Sequence, residues 1–390
     1  MYIDYTPEQQ ALRDQLRAYF KTIVTPEYLA QLGGGEGGGP LYMEAVKKLG
    51  RDGWLGIGWP KEYGGQGRTP VDQYIFFDEA SRAGCLLPTL TINAVAQSIL
   101  AHGTEEQKKF FLPNILREAL HFAIGYTEPS AGTDLASLKT RAVRDGDHWV
   151  ITGQKVYTSQ AEYADYIWLA ARTDPTAAPH KGISIFAVST KSPGYRITPI
   201  WTMGSVRTNT TYYDEIRVPN TMLIGQENGG WWLIATQLNR ERVSLINTGL
   251  IQRLYEEVRQ WASTKRLADG RRVIDQQWVQ LHLARLHAKI EVLRLLNWKQ
   301  AWNMEQGTFN MAEASAVKVF GSELNVEGYS LMLEILGQAG TLREGSPDAI
   351  LHGRVERMYR TAPILTFGGG TNEVQRDIIA MAALGMPRSR

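Results

Sequence analysis

The sequence predicts an α+β multidomain fold: an N-terminal helical domain, a middle antiparallel β-barrel or sandwich domain, and a C-terminal antiparallel helix bundle. Three observations carry that expectation. Apolar residues recur at helical spacing in the first and last thirds. The middle third holds short β-rich runs separated by turn residues. A chain of 390 residues also exceeds what one ordinary hydrophobic core organises. The expected divisions are 1–119, 120–228 and 229–390.

Thr6, Pro7 and Glu8 form a helix start, and Leu12, Leu16, Tyr19 and Phe20 follow on one face. Residues 33–40 read as a flexible break, and residues 42–49 as a second helix. Trp54-Leu55-Gly56-Ile57-Gly58-Trp59-Pro60 and Tyr63-Gly64-Gly65-Gln66-Gly67 form an irregular glycine-rich link. Residues 71–83 and 91–103 are two more helices. Thr104-Glu105-Glu106-Gln107 opens a short helix expected to stop at Pro113. In the middle third, residues 148–151, 166–171, 182–188 and 211–213 are the expected strands. From Trp231 the period is helical again, over about 229–267, 276–304, 311–340 and 349–360. Leu281, Leu283, Ala284, Leu286, His287 and Ile290 mark a broad apolar stripe.

Composition removes several function classes. Apolar content of 43% and charged content of 21% are those of a globular protein. A net charge of +2 gives no argument for nucleic acid or an anionic membrane. One cysteine, Cys85, excludes an internal disulfide and cysteine-rich metal sites, and the scattered histidines give no metal pattern. No apolar run reaches membrane-spanning length, so a soluble, cytoplasmic protein without membrane insertion is expected. No strand leads into Gly-x-Gly-x-x-Gly opening a helix, which argues against a Rossmann dehydrogenase.

Two stretches carry chemistry. In Ile364-Leu365-Thr366-Phe367-Gly368-Gly369-Gly370-Thr371-Asn372-Glu373-Val374-Gln375-Arg376-Asp377, three glycines precede a helix start. Glycine admits positive φ and close approach to a flat ligand, and helix-start N–H groups suit carbonyl oxygen or phosphate. An ordinary loop-to-helix turn has the same pattern. Phe122-Ala123-Ile124-Gly125-Tyr126-Thr127-Glu128-Pro129-Ser130-Ala131-Gly132-Thr133-Asp134 makes a rigid loop whose donors suit the edge of a heteroaromatic ring.

The order of the pieces is more specific than any one of them. The Thr-Glu-Pro loop is followed by Gly153-Gln154-Lys155-Val156-Tyr157-Thr158-Ser159, Arg217-Val218-Pro219, Gly229-Gly230-Trp231, Glu241-Arg242 and Gly370-Thr371-Asn372-Glu373-Val374-Gln375-Arg376. This series resembles the acyl-CoA dehydrogenase flavoprotein family over essentially the whole chain. Gly58-Trp59-Pro60-Lys61-Glu62-Tyr63-Gly64-Gly65-Gln66-Gly67, Gln237-Leu238-Asn239 and Leu365-Thr366-Phe367-Gly368-Gly369-Gly370 are most similar to its actinobacterial branch, whose α-type subunits act on steroid side-chain CoA thioesters.

The resemblance implies FAD as cofactor, an acyl-CoA substrate and an electron-transfer flavoprotein as acceptor. It implies that Tyr126, Thr127 and Thr133, with Gly132 in the same loop, contact the flavin ring, and that Tyr157 and Ser159 flank its other side. Thr371 and Glu373 match positions that hold the ribityl and phosphate region. Arg242 matches an arginine beside the CoA entrance. The usual catalytic glutamate falls at position 369, which here is Gly369. A minority of the family places the base immediately before the arginine, which here is Glu241. On that pattern Glu241 removes the pro-R α-proton as the β-hydrogen leaves as hydride to flavin N5, and the Gly369 backbone N–H remains as a donor to the thioester oxygen. The glycine run also implies a wide acyl pocket, suited to a branched or polycyclic group.

Family members bind FAD across a subunit pair. The lent Arg-x-x-Phe segment aligns here with Arg266-Leu267-Ala268-Asp269, and Gln-x-x-Gly-Gly aligns with Glu334-Ile335-Leu336-Gly337-Gln338. The expectation is that these carboxylates repel the FAD pyrophosphate and that a homologous chain completes the site as an α2β2 heterotetramer. Drift compensated by other contacts is the alternative. A flavin oxidase or monooxygenase on the same fold, and a non-catalytic structural subunit, are the alternatives for function.

Overall fold

The computed structural model describes residues 4–32, 37–117 and 119–387, with the backbone alone described over 238–245. Residues 33–36 of the expected flexible break therefore lie outside the described residues.

Helix α1 (Pro7–Lys21) opens on the expected signal: Thr6 Oγ1 accepts from Gln9 N at 3.3 Å while Gln9 Oε1 accepts from Thr6 N at 3.0 Å. It buries Leu12, Leu16 and Phe20. A short α2 (Pro26–Leu32), not separated in the sequence, precedes α3 (Pro40–Arg51) and α4 (Pro70–Ala83). The expected helix over 91–103 begins as a π-helical turn, Leu90–Val95, before α5 (Ala96–His102). α6 (Glu105–Arg117) runs through Pro113, contrary to the expected stop. Proline in a helix interior costs about 3 kcal/mol. Burial of Phe111, Leu112, Ile115 and Leu116 along this helix outweighs that cost, each such side chain contributing about 1.5–3 kcal/mol.

The middle third is one continuous sheet of eight strands. These are β1 (Phe122–Gly125), β2 (Arg141–Asp145), β3 (His148–Lys155), β4 (Tyr166–Arg172), β5 (Ile183–Ser189), β6 (Tyr195–Trp201), β7 (Arg207–Pro219) and β8 (Leu223–Ile224). The order is β6-β7-β3-β2-β4-β5-β8, and β1 lies parallel to β4 with Phe122 opposite Tyr166. Most other pairings are antiparallel. β4 explains the long apolar run at 166–171, because it is covered on both faces. Trp168 and Ala170 enter the core shared with the N-terminal helices, while Ile167, Leu169 and Ala171 enter a second core beneath the sheet.

The expected helix over 229–267 is two helices, α7 (Gly230–Leu245) and α8 (Gly249–Thr264). The cause is the approach of α4. A Cβ on Gly249 would lie 2.4 Å from Arg82 N and 2.5 Å from Asp78 O, and Thr248 Oγ1 donates to the buried Asp78 Oδ1 at 2.7 Å. The chain breaks where two backbones touch. α9 (Gln277–Glu305), α10 (Met311–Leu336), α11 (Arg354–Thr361) and α12 (Asn372–Leu384) complete the bundle around a third core.

Candidate active site

β1 ends at Gly125, where a Cβ would lie 2.9 Å from Ile167 Cγ2 and 3.2 Å from Tyr213 Oη, so the strand passes close to the sheet's interior. The loop that follows is tied internally. Glu128 N donates to Ala131 O at 3.0 Å and Ala131 N returns to Glu128 O at 3.1 Å, closing a turn around Pro129. The buried Glu128 carboxylate accepts from Lys139 N (2.7 Å), Thr140 N (2.8 Å) and Lys155 Nζ (2.8 Å). Lys155 is wholly buried and also donates to Tyr126 O at 3.0 Å. The sequence reading missed this pair, although Glu128 and Lys155 stand inside the two motifs it singled out. The pair joins those motifs into one rigid edge.

Burial pushes the Lys155 ammonium down to about 8, opposed by Glu128. Burial would raise the Glu128 carboxyl, but Lys155 and the bonds from Thr140 and Lys139 outweigh it and hold it below the usual range. Removing one partner of a buried pair costs about 3–5 kcal/mol. Glu128→Ala should therefore lower stability to chemical denaturation by an amount of that order. A depressed carboxyl contributes stability above its unfolded value of about 4.3, lost as pH falls through the folded value. Wild type should accordingly lose stability more steeply than the variant on the acid side of that value.

Other groups of this edge face outward. The Thr127 hydroxyl is half-buried and makes no hydrogen bond to described residues. Gly132 and Thr133 are exposed, and a Cβ on Gly132 would meet nothing within 4 Å. Beyond β3, Thr158 is buried; its N donates to Asn209 O at 2.9 Å and its carbonyl accepts from Asn209 Nδ2 at 3.1 Å. That anchor leaves Tyr157 and Ser159 on the outer side. Tyr157 holds φ +59° with its ring 65% exposed, a left-handed conformation that costs about 1–3 kcal/mol in a non-glycine residue. Tyr126 differs from its neighbours. Its ring is buried, and its hydroxyl accepts from Trp168 Nε1 (3.0 Å) and donates to Gln237 Oε1 (2.6 Å). Indole N–H only donates, which fixes the direction of that chain. Tyr126 thus couples the loop to α7.

Glu241 and Arg242 lie on α7, and their side chains fall outside the described residues. Position 241 follows Gln237 by one helical turn.

The glycine stretch forms a tight turn between a 3₁₀ segment, Ala362–Thr366, and α12. Gly368 N donates to Ile364 O at 2.8 Å and Gly370 N to Phe367 O at 3.2 Å. Gly369 and Gly370 hold φ of +69° and +104°, which requires glycine. The Gly369 N–H makes no hydrogen bond among the described residues. Thr371 caps α12 by accepting from Val374 N at 3.3 Å, and Glu373 is exposed in its first turn. Thr371→Ala should cost about 1 kcal/mol of stability by thermal denaturation. Beneath the turn, the buried Lys318 donates to Gly370 O; the sequence offered no sign of this because it lies 52 residues earlier.

The two segments aligned with the family's lent motifs make local contacts. Asp269 Oδ1 accepts from Arg271 N at 3.0 Å and Oδ2 from Arg271 Nε at 2.8 Å, so its charge is compensated within its own turn. Glu334 Oε2 meets His282 Nε2 at 2.8 Å. The Asp269 charge is thus balanced by Arg271, and the two segments lack the aromatic ring and the glutamine of the family pattern. Among the described residues no cluster of three or more His, Cys, Asp or Glu forms a metal site, and no helix is long and apolar enough to cross a membrane.

Family models match along the chain: the acyl-CoA dehydrogenase N-terminal domain at residues 6–119, middle domain at 123–216 and C-terminal domain at 228–384. Acyl-CoA dehydrogenase FadE26 of Mycobacterium tuberculosis is 55% identical, the match covering all of both chains. FadE29 of the same organism is 48% identical over all of this chain and 99% of its own length. Among solved structures, the ChsE4-ChsE5 complex from Mycobacterium tuberculosis contains a chain 56% identical at a TM-score of 0.94, and the Tcur3481-Tcur3483 steroid ACAD one 49% identical at 0.94. Each covers 100% of both chains compared.

Proposed function

This chain belongs to the acyl-CoA dehydrogenase family of oxidoreductases, and on that premise we propose that it is the base-carrying chain of an FAD-dependent dehydrogenase of bulky or steroid side-chain acyl-CoA thioesters. The observation that carries the reading is the glycine turn. It leaves the Gly369 N–H without a hydrogen-bond partner among the described residues and offers no carboxylate at that position. Division into domains at 1–119, 120–228 and 229–390 is part of the same reading.

The residues present fit a flat, donor-rich cofactor. The Thr127 hydroxyl, exposed Gly132 and Thr133, and the outward Tyr157 and Ser159 are the groups that would hold the flavin ring. Tyr126 serves them from behind through Gln237. Thr371 and Glu373 at the start of α12 would face the ribityl and phosphate portion. When bound, FAD supplies the acceptor for the β-hydrogen.

The chain's own chemistry is proton removal and stabilisation of the charge that follows. Glu241 takes the α-proton. The Gly369 N–H donates to the thioester oxygen as negative charge grows there, so the α-carbon is acidified where water is excluded. Arg242 neutralises charge beside the CoA entrance. Vacating position 369 of its side chain leaves room for a branched or polycyclic acyl group.

A homologous partner subunit fits two features. The aromatic and glutamine that serve a neighbour's FAD are absent here. α9 also presents Trp278, Leu281, Val292, Leu295 and Trp302 outward, an exposed apolar stripe that a partner helix would cover. Electron-transfer flavoprotein is the proposed acceptor and the cytoplasm the proposed location.

Purification with the product of an adjacent homologous reading frame, followed by a screen of CoA thioesters, tests the reading. Enoyl-CoA formation with a ferrocenium acceptor supports it. Oxygen consumption without need of CoA would point to an oxidase instead.

A further inference from the structure

Lys318 lies on α10 with 1% of its surface exposed. Its Nζ donates to Gly370 O at 2.7 Å and to Asn372 Oδ1 at 2.8 Å. Asn372 is itself buried, and its Nδ2 donates to Ser322 Oγ at 3.0 Å, one turn further along α10. The glycine turn therefore leans on α10 through a buried cation and a buried amide. An ammonium in a helix core is costly to place, and two of its bonds here go to the backbone of the turn and to the residue after the α12 cap.

The anchored groups are specific. Gly368 N and Gly370 N are already committed to Ile364 and Phe367. Drawing the Gly370 carbonyl inward fixes the Gly370–Thr371 peptide, the C-terminal end of the turn, while φ of +69° and +104° sets the two glycines themselves. Among the described residues, the N–H of the turn's last three glycines left for a ligand is that of Gly369. Two adjacent glycines have wide conformational freedom, so an unanchored turn would sample many orientations of that N–H. Preorganisation is what gives such a donor its catalytic value.

We propose that Lys318 is a positioning residue for the oxyanion donor: it locks the Gly370 carbonyl and Asn372 so that the Gly369 N–H meets the thioester oxygen. The inference rests on the acyl-CoA reading above.

The test uses the complex with its homologous partner, loaded with FAD and given a non-oxidisable 3-thia-acyl-CoA in deuterium oxide without an electron acceptor. Exchange at the α-carbon, followed by NMR and normalised to bound FAD, reports acidification without turnover. Lys318→Met should slow exchange on the order of 10²-fold while FAD content and thioester binding hold. Asn372→Ala, which leaves the Lys318–Gly370 bond in place, should slow it about tenfold. Wild-type exchange in Lys318→Met overturns the inference alone, as does a loss that only tracks lost FAD. Where Lys318→Met fails to fold, unchanged exchange in Asn372→Ala overturns it. Absence of exchange in wild type overturns the acyl-CoA reading and this inference with it.

Discussion

Glu241→Gln should lower turnover of acyl-CoA by about 10²–10⁴-fold, with FAD content and thioester binding retained. Gly369 has no side chain and cannot remove a proton. The reaction still needs one carboxylate at the α-carbon, and its efficiency depends on a site that favours the neutral acid after transfer. Glutamine keeps the size and polarity of glutamate and removes only the basicity, so a fall in kcat with steady KM identifies the base. Ferrocenium-coupled steady-state rates of the complex measure it. Undiminished turnover would remove Glu241 from the mechanism and favour a structural role for this chain.

Purified alone, the protein should hold little flavin; with its homologous partner it should hold much more. On the proposed reading FAD is shared between chains, and this chain carries Asp269 and Glu334 where the family pattern has an aromatic and a glutamine. The structure turns Asp269 toward Arg271 and sets Glu334 beside the His282 imidazole. The deficit combines the lost aromatic and glutamine contacts with the charge of Glu334. Loss of one hydrogen bond to a charged group, about 1.5–3 kcal/mol, and of one aromatic contact, about 0.5–1.5 kcal/mol, weakens FAD binding on the order of 10²-fold. Flavin absorbance per polypeptide, with light scattering for mass, reads the difference. Full occupancy in a homotetramer would end the heteromeric proposal.

Local signals were legible where local physics decides. The Thr6 capping box, the apolar face of α1 and the continuous apolar run of β4 all follow from short-range pattern. Pro113 misled because burial along α6 outweighs a local breaker, and the α7–α8 break was hidden because α4 imposes it from far away in sequence. β1 read as loop, since a four-residue strand beside Gly125 is too short to show a period. At the site, the outward Thr127, Thr133, Tyr157 and Ser159 stand on motifs that the sequence displays. Lys155 and Lys318 look like ordinary surface lysines in sequence; only folding brings them under Glu128 and Gly370. Buried anchors of a loop are invisible until the partner element is placed.

The most direct test of the central claim is an anaerobic single turnover of the FAD-loaded complex with a steroid side-chain CoA thioester. The proposed function predicts rapid flavin bleaching and one trans-2-enoyl-CoA formed per flavin, with both lost in Glu241→Gln. Bleaching that persists in that variant, or a complex that leaves every CoA thioester saturated, would contradict it.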